Sequence, residues 1–231
     1  MAHIICIVPA RGGSKSIPKK NIVDFCGKPL IAWTIRQALE SSLIDDVYVT
    51  TDDDTIAAVS EKYGAKVIRR PKRLSTDTAS SEDALMHALS EIEKRGAGID
   101  LVVFLQATSP LRRAKDIDMA IAQFRATKAD SMFSAAILED YTIWKKIGPR
   151  LKSVSFNYKE RGRRQDREPL YLENGSIYLF KPEILKRCKN RLGGRMRMYI
   201  MDFWRSYEID NAEDLKVCEY FMKNNILKKR G

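Results

Sequence analysis

The chain has 231 residues, 44% of them hydrophobic, and carries 41 Lys plus Arg against 30 Asp plus Glu, a net charge of +11 at pH 7. That is enough apolar material to bury the core of one domain, and no apolar run approaches the ~20 residues a membrane-spanning helix needs. The charge favours anionic partners (nucleic acid, an anionic membrane or phosphorylated small molecules), although a solvated basic surface accounts for it equally well.

Met1 to Val8 has no basic leader and runs straight into an apolar stretch, so no signal peptide is expected. Ile4 to Val8 is continuously apolar, the pattern of a strand buried on both faces. Pro29 suits the first turn of a helix whose Leu30, Ile31, Ile35, Ala38 and Leu39 recur at helical spacing. Val47 to Thr51 is the next strand, Asp53 to Tyr63 a helix capped by Gly64, and Ala65 to Ile68 a short strand. Ser81 is the expected cap of a helix with Ala84, Leu85, Ala88, Leu89 and Ile92 on one side. Leu101 to Leu105 is a second strongly apolar strand, Ile117 to Phe124 a further helical stripe, and Ser131 to Ile137 a strand. The pattern breaks over Glu139 to Leu172, where aromatics and a basic run from Lys159 to Arg167 predict short strands or hairpins. It resumes with a strand at Ser176 to Phe180, a helix at Pro182 to Cys188, a strand at Met198 to Met201 and a last helix from Asn211 to about Asn224.

Repeated strand–helix alternation predicts an α/β fold with a doubly wound, mostly parallel sheet. Ligands in such sheets bind beyond the carboxyl ends of the strands. The first such loop, Pro9 to Asn21, holds Gly12, Gly13, Arg11, Lys15, Lys19 and Lys20: glycines that let backbone amides face an anion, and four cations to neutralise it. It is neither a Walker loop nor a dinucleotide fingerprint. The four cysteines (Cys6, Cys26, Cys188, Cys218) show no metal-ligand or redox spacing, and a reduced, cytoplasmic setting is expected. Asp52, Asp53 and Asp54 are read as helix capping and solvation, and Asp210 taken alone as an N-cap.

The run Ile7 to Lys15, with Lys20-Asn21 and Gly27 to Leu30, resembles the opening of the acylneuraminate cytidylyltransferases. Arg70-Pro71 with Ser75 to Ser81, Leu105 to Arg112, Arg163 to Gln165, Glu173 to Tyr178, and Glu208 to Asp210 with Asp214-Leu215 resemble its later motifs in order. The resemblance implies one Rossmann-like nucleotidyltransferase domain over 1–231, with 139–172 inserted to dimerise and complete a partner's active site. It implies a homodimer using CTP, a sialic-acid-type nonulosonic acid and Mg²⁺, without nucleic acid or membrane. CMP would pass to the sugar's anomeric hydroxyl with release of pyrophosphate. Position by position, Arg11 and Lys20 would contact the triphosphate, Lys20 nearest the α-phosphate. Asn21, Arg70 and Ser81 would hold the cytidine, and Gln106, Arg164 and Tyr178 the sugar acid. Asp210 would bind the metal with Glu208 beside it, the glutamate departing from a two-aspartate motif. Leu172 stands where one branch of the family has an arginine. Two rivals remain: a cytidylyltransferase for Kdo, whose first loop is not of the Arg-Gly-Gly-Ser-Lys kind, and an RNA-binding protein using the basic runs at Lys159 to Arg167 and Lys228 to Arg230.

Overall fold

The computed structural model describes residues 2–14, 16–96, 98–138, 141–163 and 168–228. A seven-stranded sheet runs through the centre, built from β1 (Ile4–Pro9), β4 (Asp46–Thr51), β5 (Lys66–Arg69), β6 (Leu101–Leu105), β7 (Ser131–Ile137), β10 (Tyr171–Phe180) and β11 (Met196–Ile200). Its spatial order is β11-β7-β10-β6-β1-β4-β5. Six strands run the same way; β10 is antiparallel to both β6 and β7. The chain winds outward in one direction from β1 through β4 and β5, and in the other from β6, so strand order reverses between β1 and β6. The loops after these two strands therefore flank the crevice where such sheets take ligands.

Both sheet faces are covered, which is why β1 reads as an unbroken apolar run. Ile4, Cys6 and Val8 pack with Ile31 and Ile35 of α1 (Leu30–Leu39), Ile56 of α2 (Asp54–Lys62), and Ile117 and Ile121 of α4 (Ala114–Ala126). Ile5 and Ile7 pack on the other face with Leu85, Leu89 and Ile92 of α3 (Ser81–Glu93) and Leu185 of α5 (Pro182–Cys188). A smaller core gathers Phe25 of β2 (Asp24–Phe25), which pairs with β3 (Lys28–Pro29), and Leu30, Trp33, Leu111, Ile209 and Met222. Each apolar side chain so buried contributes roughly 1.5–3 kcal/mol.

Several expectations need correction. The strand expected at Ser176 to Phe180 begins five residues earlier, at Tyr171, and runs antiparallel. Its first half was hidden because the polar run Glu173-Asn174-Gly175-Ser176 is a bulge. Glu173 pairs with Ala135 and Tyr178 with Phe133, so Asn174 to Ile177 oppose the single residue Ser134. The bulge is stitched by side chains: Ser134 Oγ donates to Asn174 Oδ1 at 2.6 Å, and the backbone N–H of Ile177 donates to Ser134 Oγ at 2.8 Å. The cap of α3 is Ser80 rather than Ser81, because Ser80 Oγ accepts the N–H of Asp83 at 3.0 Å. The last helix, α6 (Ala212–Phe221), passes into a π turn at Met222–Leu227.

Of the inserted stretch, Tyr171 and Leu172 already belong to β10. The described remainder includes a hairpin of β8 (Trp144–Ile147) and β9 (Arg150–Ser153), which stands out from the body with nearly every residue exposed. Trp144 gathers Phe156 and Tyr158 around it at ring distances of 5.3 and 5.5 Å.

Candidate active site

The loop after β1 is anchored from three sides. The backbone N–H of Gly12 donates to Asp52 Oδ1 at 3.1 Å, at the end of β4. A Cβ at Gly12 would collide with Asp53, so only glycine lets the loop lie this close. Asp53 itself caps α2 by accepting the N–H of Ile56 at 2.9 Å, and Asp54 pairs with Arg69, as the sequence suggested for this acidic run. Asp52 does something more, facing Arg70 Nη2 at 3.9 Å as well as Gly12. Asn21 is buried, and its amide donates to the carbonyl of Arg11 at 3.0 Å. It fixes the loop backbone from which the Arg11 side chain departs.

Arg11 reaches across to the loop before α3, donating to the carbonyl of Thr76 at 3.0 Å and pairing with Asp77 at 2.8 Å. Arg70 is buried, its Nε has no partner among the described residues, and desolvation draws its pKa down. An anion or a polar base edge reaching it would relieve that cost. Arg11, Arg70, Ser75, Thr76, Ser80 and Ser81 line a cavity of about 230 Å³. Ser81, freed from capping, is exposed there. Lys15 and Arg164 lie outside the described residues.

A second group converges beside it. Lys20 Nζ donates to Asp210 Oδ1 at 2.9 Å. The Asp210 backbone is held by Ser16, whose hydroxyl donates to its carbonyl, and by Asp214 Oδ2, which accepts its N–H at 3.0 Å. Asp210 does not cap α6: Asn211 does, accepting the N–H groups of Glu213 and Asp214 at 2.9 Å. The Asp210 carboxylate is thus available for other work. Next to it, the N–H of Ile209 donates to the carbonyl of Thr108 at 2.8 Å, tying this segment to the loop after β6.

Glu208, Gln106 and Gly175 meet there. A Cβ on Gly175 would overlap the carboxylate of Glu208 and the amide oxygen of Gln106, and the residue sits at φ +64. Gln106 Oε1 is buried without a partner among the described residues, an acceptor free for a ligand. Burial, and then the like charge of Asp210, push the Glu208 carboxyl up to about 7. Tyr178 sits in the core, its ring stacked 5.2 Å from Phe104 with the Arg191 guanidinium 4.4 Å above, and its hydroxyl donates to Glu173 Oε1 at 2.5 Å. Burial and then Glu173 raise its pKa. These contacts tie Tyr178 to Phe104, Arg191 and Glu173, the residue just before the bulge, rather than to Gln106 or Glu208.

Sequence reasoning passed over Arg112, which is completely buried. Its Nη2 donates to Thr34 Oγ1 at 2.7 Å and to the carbonyl of Gln106 at 2.9 Å, and its Nη1 to the carbonyls of Ser109 and, at 3.2 Å, Ser176. Desolvation brings its pKa down to about 10. One side chain clamps α1, the loop after β6 and the β10 bulge. The signal lay in the motif itself, where an arginine follows Ser109-Pro110-Leu111 just before an amphipathic helix.

These features match known proteins along the chain. The model of the family described as Cytidylyltransferase matches residues 5–230. The chain is 35% identical over 221 residues to N-acylneuraminate cytidylyltransferase A of Danio rerio, covering 94% of this chain and 50% of that protein. It is 38% identical over 225 residues to the pseudaminic acid cytidylyltransferase of Campylobacter jejuni, covering 96% of this chain and 97% of that protein. The chain thus spans about half the length of the N-acylneuraminate relatives, here and in Streptococcus agalactiae, and nearly all of the pseudaminic acid one. In fold it is similar to a CMP:2-keto-3-deoxy-manno-octonic acid synthetase complexed with CTP (TM-score 0.69, 18% identity, 96% of this chain and 99% of that one). It is also similar to the 4-diphosphocytidyl-2C-methyl-D-erythritol synthase of Anaerococcus prevotii (TM-score 0.67, 13% identity, 96% and 97%). With its motifs in order, its ligand loops at the β1–β6 reversal and relatives that match it nearly end to end, the chain belongs to the cytidylyltransferase family.

Proposed function

We propose that the chain transfers CMP from CTP to the anomeric hydroxyl of a sialic-acid-type nonulosonic acid, releasing pyrophosphate. What carries this reading is the convergence of Lys20, Asp210, Glu208 and Gln106 at the strand ends, next to the cavity bearing Arg11 and Arg70. The sugar oxygen bonds to the α-phosphorus while the bond from that phosphorus to the bridging oxygen breaks, the bridging oxygen leaving with pyrophosphate, and the hydroxyl proton passes to the neighbouring Asp210 carboxylate. Such transfers depend mainly on positioning and on neutralising charge. Arg11 and Lys20 serve the triphosphate, each letting go of its present carboxylate, Asp77 or Asp210, to do so. Arg70, Ser81 and the Asn21-anchored loop serve the cytidine, and Gln106, Arg164 and Tyr178 the sugar acid.

Among the described residues no group of three or more His, Cys, Asp or Glu is placed to cage a metal. Mg²⁺ does not require one, since one or two carboxylates with substrate phosphates usually hold it. Asp210 and Glu208 fit that donor set. When bound, the ion neutralises charge on the reacting phosphates. The like-charge cost at Glu208 is what a cation there would remove.

We also propose a homodimer. Trp144, Ile147, Leu151 and Val154 of the protruding segment are all more than 40% exposed, and a second copy is the occupant that suits them. No described helix is long and apolar enough to cross a membrane, and four free cysteines suit a reducing, cytoplasmic compartment. The test is pyrophosphate release from CTP and Mg²⁺ with N-acetylneuraminic, pseudaminic and legionaminic acids and Kdo. Turnover with one of the first three, lost in Lys20→Ala and Asp210→Ala, supports the assignment. Turnover with Kdo alone shifts it to that sugar. Silence across the panel, with steeply salt-dependent RNA binding, overturns it. Full activity in a species that sediments as a monomer at micromolar concentration overturns the dimer.

A further inference from the structure

A second cavity, of about 360 Å³, opens between α1, the start of α4 and the C-terminal π turn. Nothing in the transfer chemistry uses it. Its lining is two-sided. Trp33, Met222 and Ile226 are apolar, whereas Arg36, Arg112, Arg113 and Lys115 bring four cations against the single carboxylate of Glu40. Arg36 is already paired with Glu40 at 3.0 Å, and Arg113 donates to the carbonyl of Asn225. Lys115 has no ion-pair partner among the described residues, and it stands in the first turn of α4, whose end carries partial positive charge.

Two lining side chains are buried with a polar atom unanswered. Gln37 is 6% exposed; its Nε2 donates to the carbonyl of Pro110 at 2.8 Å, but its Oε1 has no partner among the described residues. Arg112 is 0% exposed, and its Nε likewise has none. A buried orphan of either kind is costly, and a ligand group would recover that cost. The missing groups are opposite in kind: a donor for Gln37 and an acceptor for Arg112.

We infer that this cavity binds a hydroxylated organic phosphate, such as a sugar phosphate. Its phosphate faces Lys115, Arg36 and Arg112, a hydroxyl donates to Gln37 Oε1, and its carbon skeleton lies against Trp33, Met222 and Ile226. The other end of Arg112 holds the carbonyls of Gln106, Ser109 and Ser176, so the cavity and the proposed sugar side share one side chain. That link rests on the function proposed above; the binding itself does not.

The experiment is calorimetric titration of the full chain with ribose 5-phosphate, with ribose and inorganic phosphate as separate arms. Saturable binding of ribose 5-phosphate, one per chain, is expected, with both fragments weaker. Lys115→Ala and Gln37→Leu should each weaken it about tenfold, the worth of one charge-assisted or buried hydrogen bond. Arg11→Ala should leave it unchanged, which separates this cavity from the nucleotide side even if no sugar acid proves to be a substrate. No binding at millimolar ribose 5-phosphate, indifference to Lys115→Ala and Gln37→Leu, or loss in Arg11→Ala would overturn the site. For the link, ribose 5-phosphate should change the KM for the sugar acid more than that for CTP; equal or absent shifts would overturn it.

Discussion

Lys20 and Asp210 stand 190 positions apart in the chain and meet at 2.9 Å, the ammonium of the first loop on the carboxylate that precedes the last helix. Lys20 is largely covered and Asp210 mostly exposed, so the pair adds little stability, ~1 kcal/mol or less. Lys20→Ala should therefore leave the melting temperature almost unchanged while lowering kcat for pyrophosphate release by roughly 10²–10³, as for loss of one group that stabilises developing charge. Parallel melting curves and steady-state rates decide it. A large drop in stability with intact turnover would show that the pair is structural.

The backbone at Gly175 lies against Glu208 and Gln106. Ala at φ +64 costs about 1–2 kcal/mol from the backbone alone. The added methyl must also push away Glu208 or Gln106. Gly175→Ala should fold, melt lower and lose far more activity than stability. Equal activity at matched folded fraction would remove these residues from the site.

Replacing Arg112 tests the clamp. Arg112→Met keeps much of the volume but strands acceptors on Thr34, Gln106, Ser109 and Ser176. Each stranded acceptor costs ~1–3 kcal/mol, and relief from burying a cation offsets part of the sum. A net loss of about 2–4 kcal/mol in urea unfolding is expected, with Arg112→Lys in between because lysine cannot fork. A change below about 0.5 kcal/mol, the range of ordinary surface substitutions, would mean that water or rearrangement replaces the clamp.

Glu208 sets a pH dependence. Its folded pKa of about 7 lies above the ordinary 4.5, so the unfolded chain gives up this proton first. Stability from this group is complete below about 4.5, falls as pH rises towards 7 and levels off above it. With divalent metal chelated, Glu208→Gln should melt higher than the parent at pH 8 and close to it at pH 4. The same gap at both pH values would show that Glu208 is not held out of water.

Much of this was legible in the sequence because one cause dominated. The apolar runs of β1 and β6 are buried on both faces, and α1 to α4 carry stripes of helical period. The Lys20–Asp210 meeting was reachable only through resemblance, since no local rule joins residues so distant. What escaped was decided by tertiary contact. Asn174 and Ser176 look like turn residues, yet Ser134 on the neighbouring strand makes them a bulge within β10. Ser80 and Ser81 are equivalent by propensity, and only the bond to Asp83 selects the cap. Arg112 looks like surface charge until its acceptors, from three separate segments, are brought together.

The protruding segment has one more consequence. The N–H of Leu138 donates to the carbonyl of Leu170 at 2.8 Å, so the excursion between them leaves and re-enters the body at adjacent points, and just beyond its start Tyr141 stacks on Phe203 of the body at 5.5 Å. To the sheet, everything from 139 to 169 amounts to a long hairpin connection, and closing a longer or shorter one changes the entropic cost only slowly with length. The hairpin beyond Tyr141 can therefore be shortened, exchanged or grafted as a cassette while β7 and β10 keep their register.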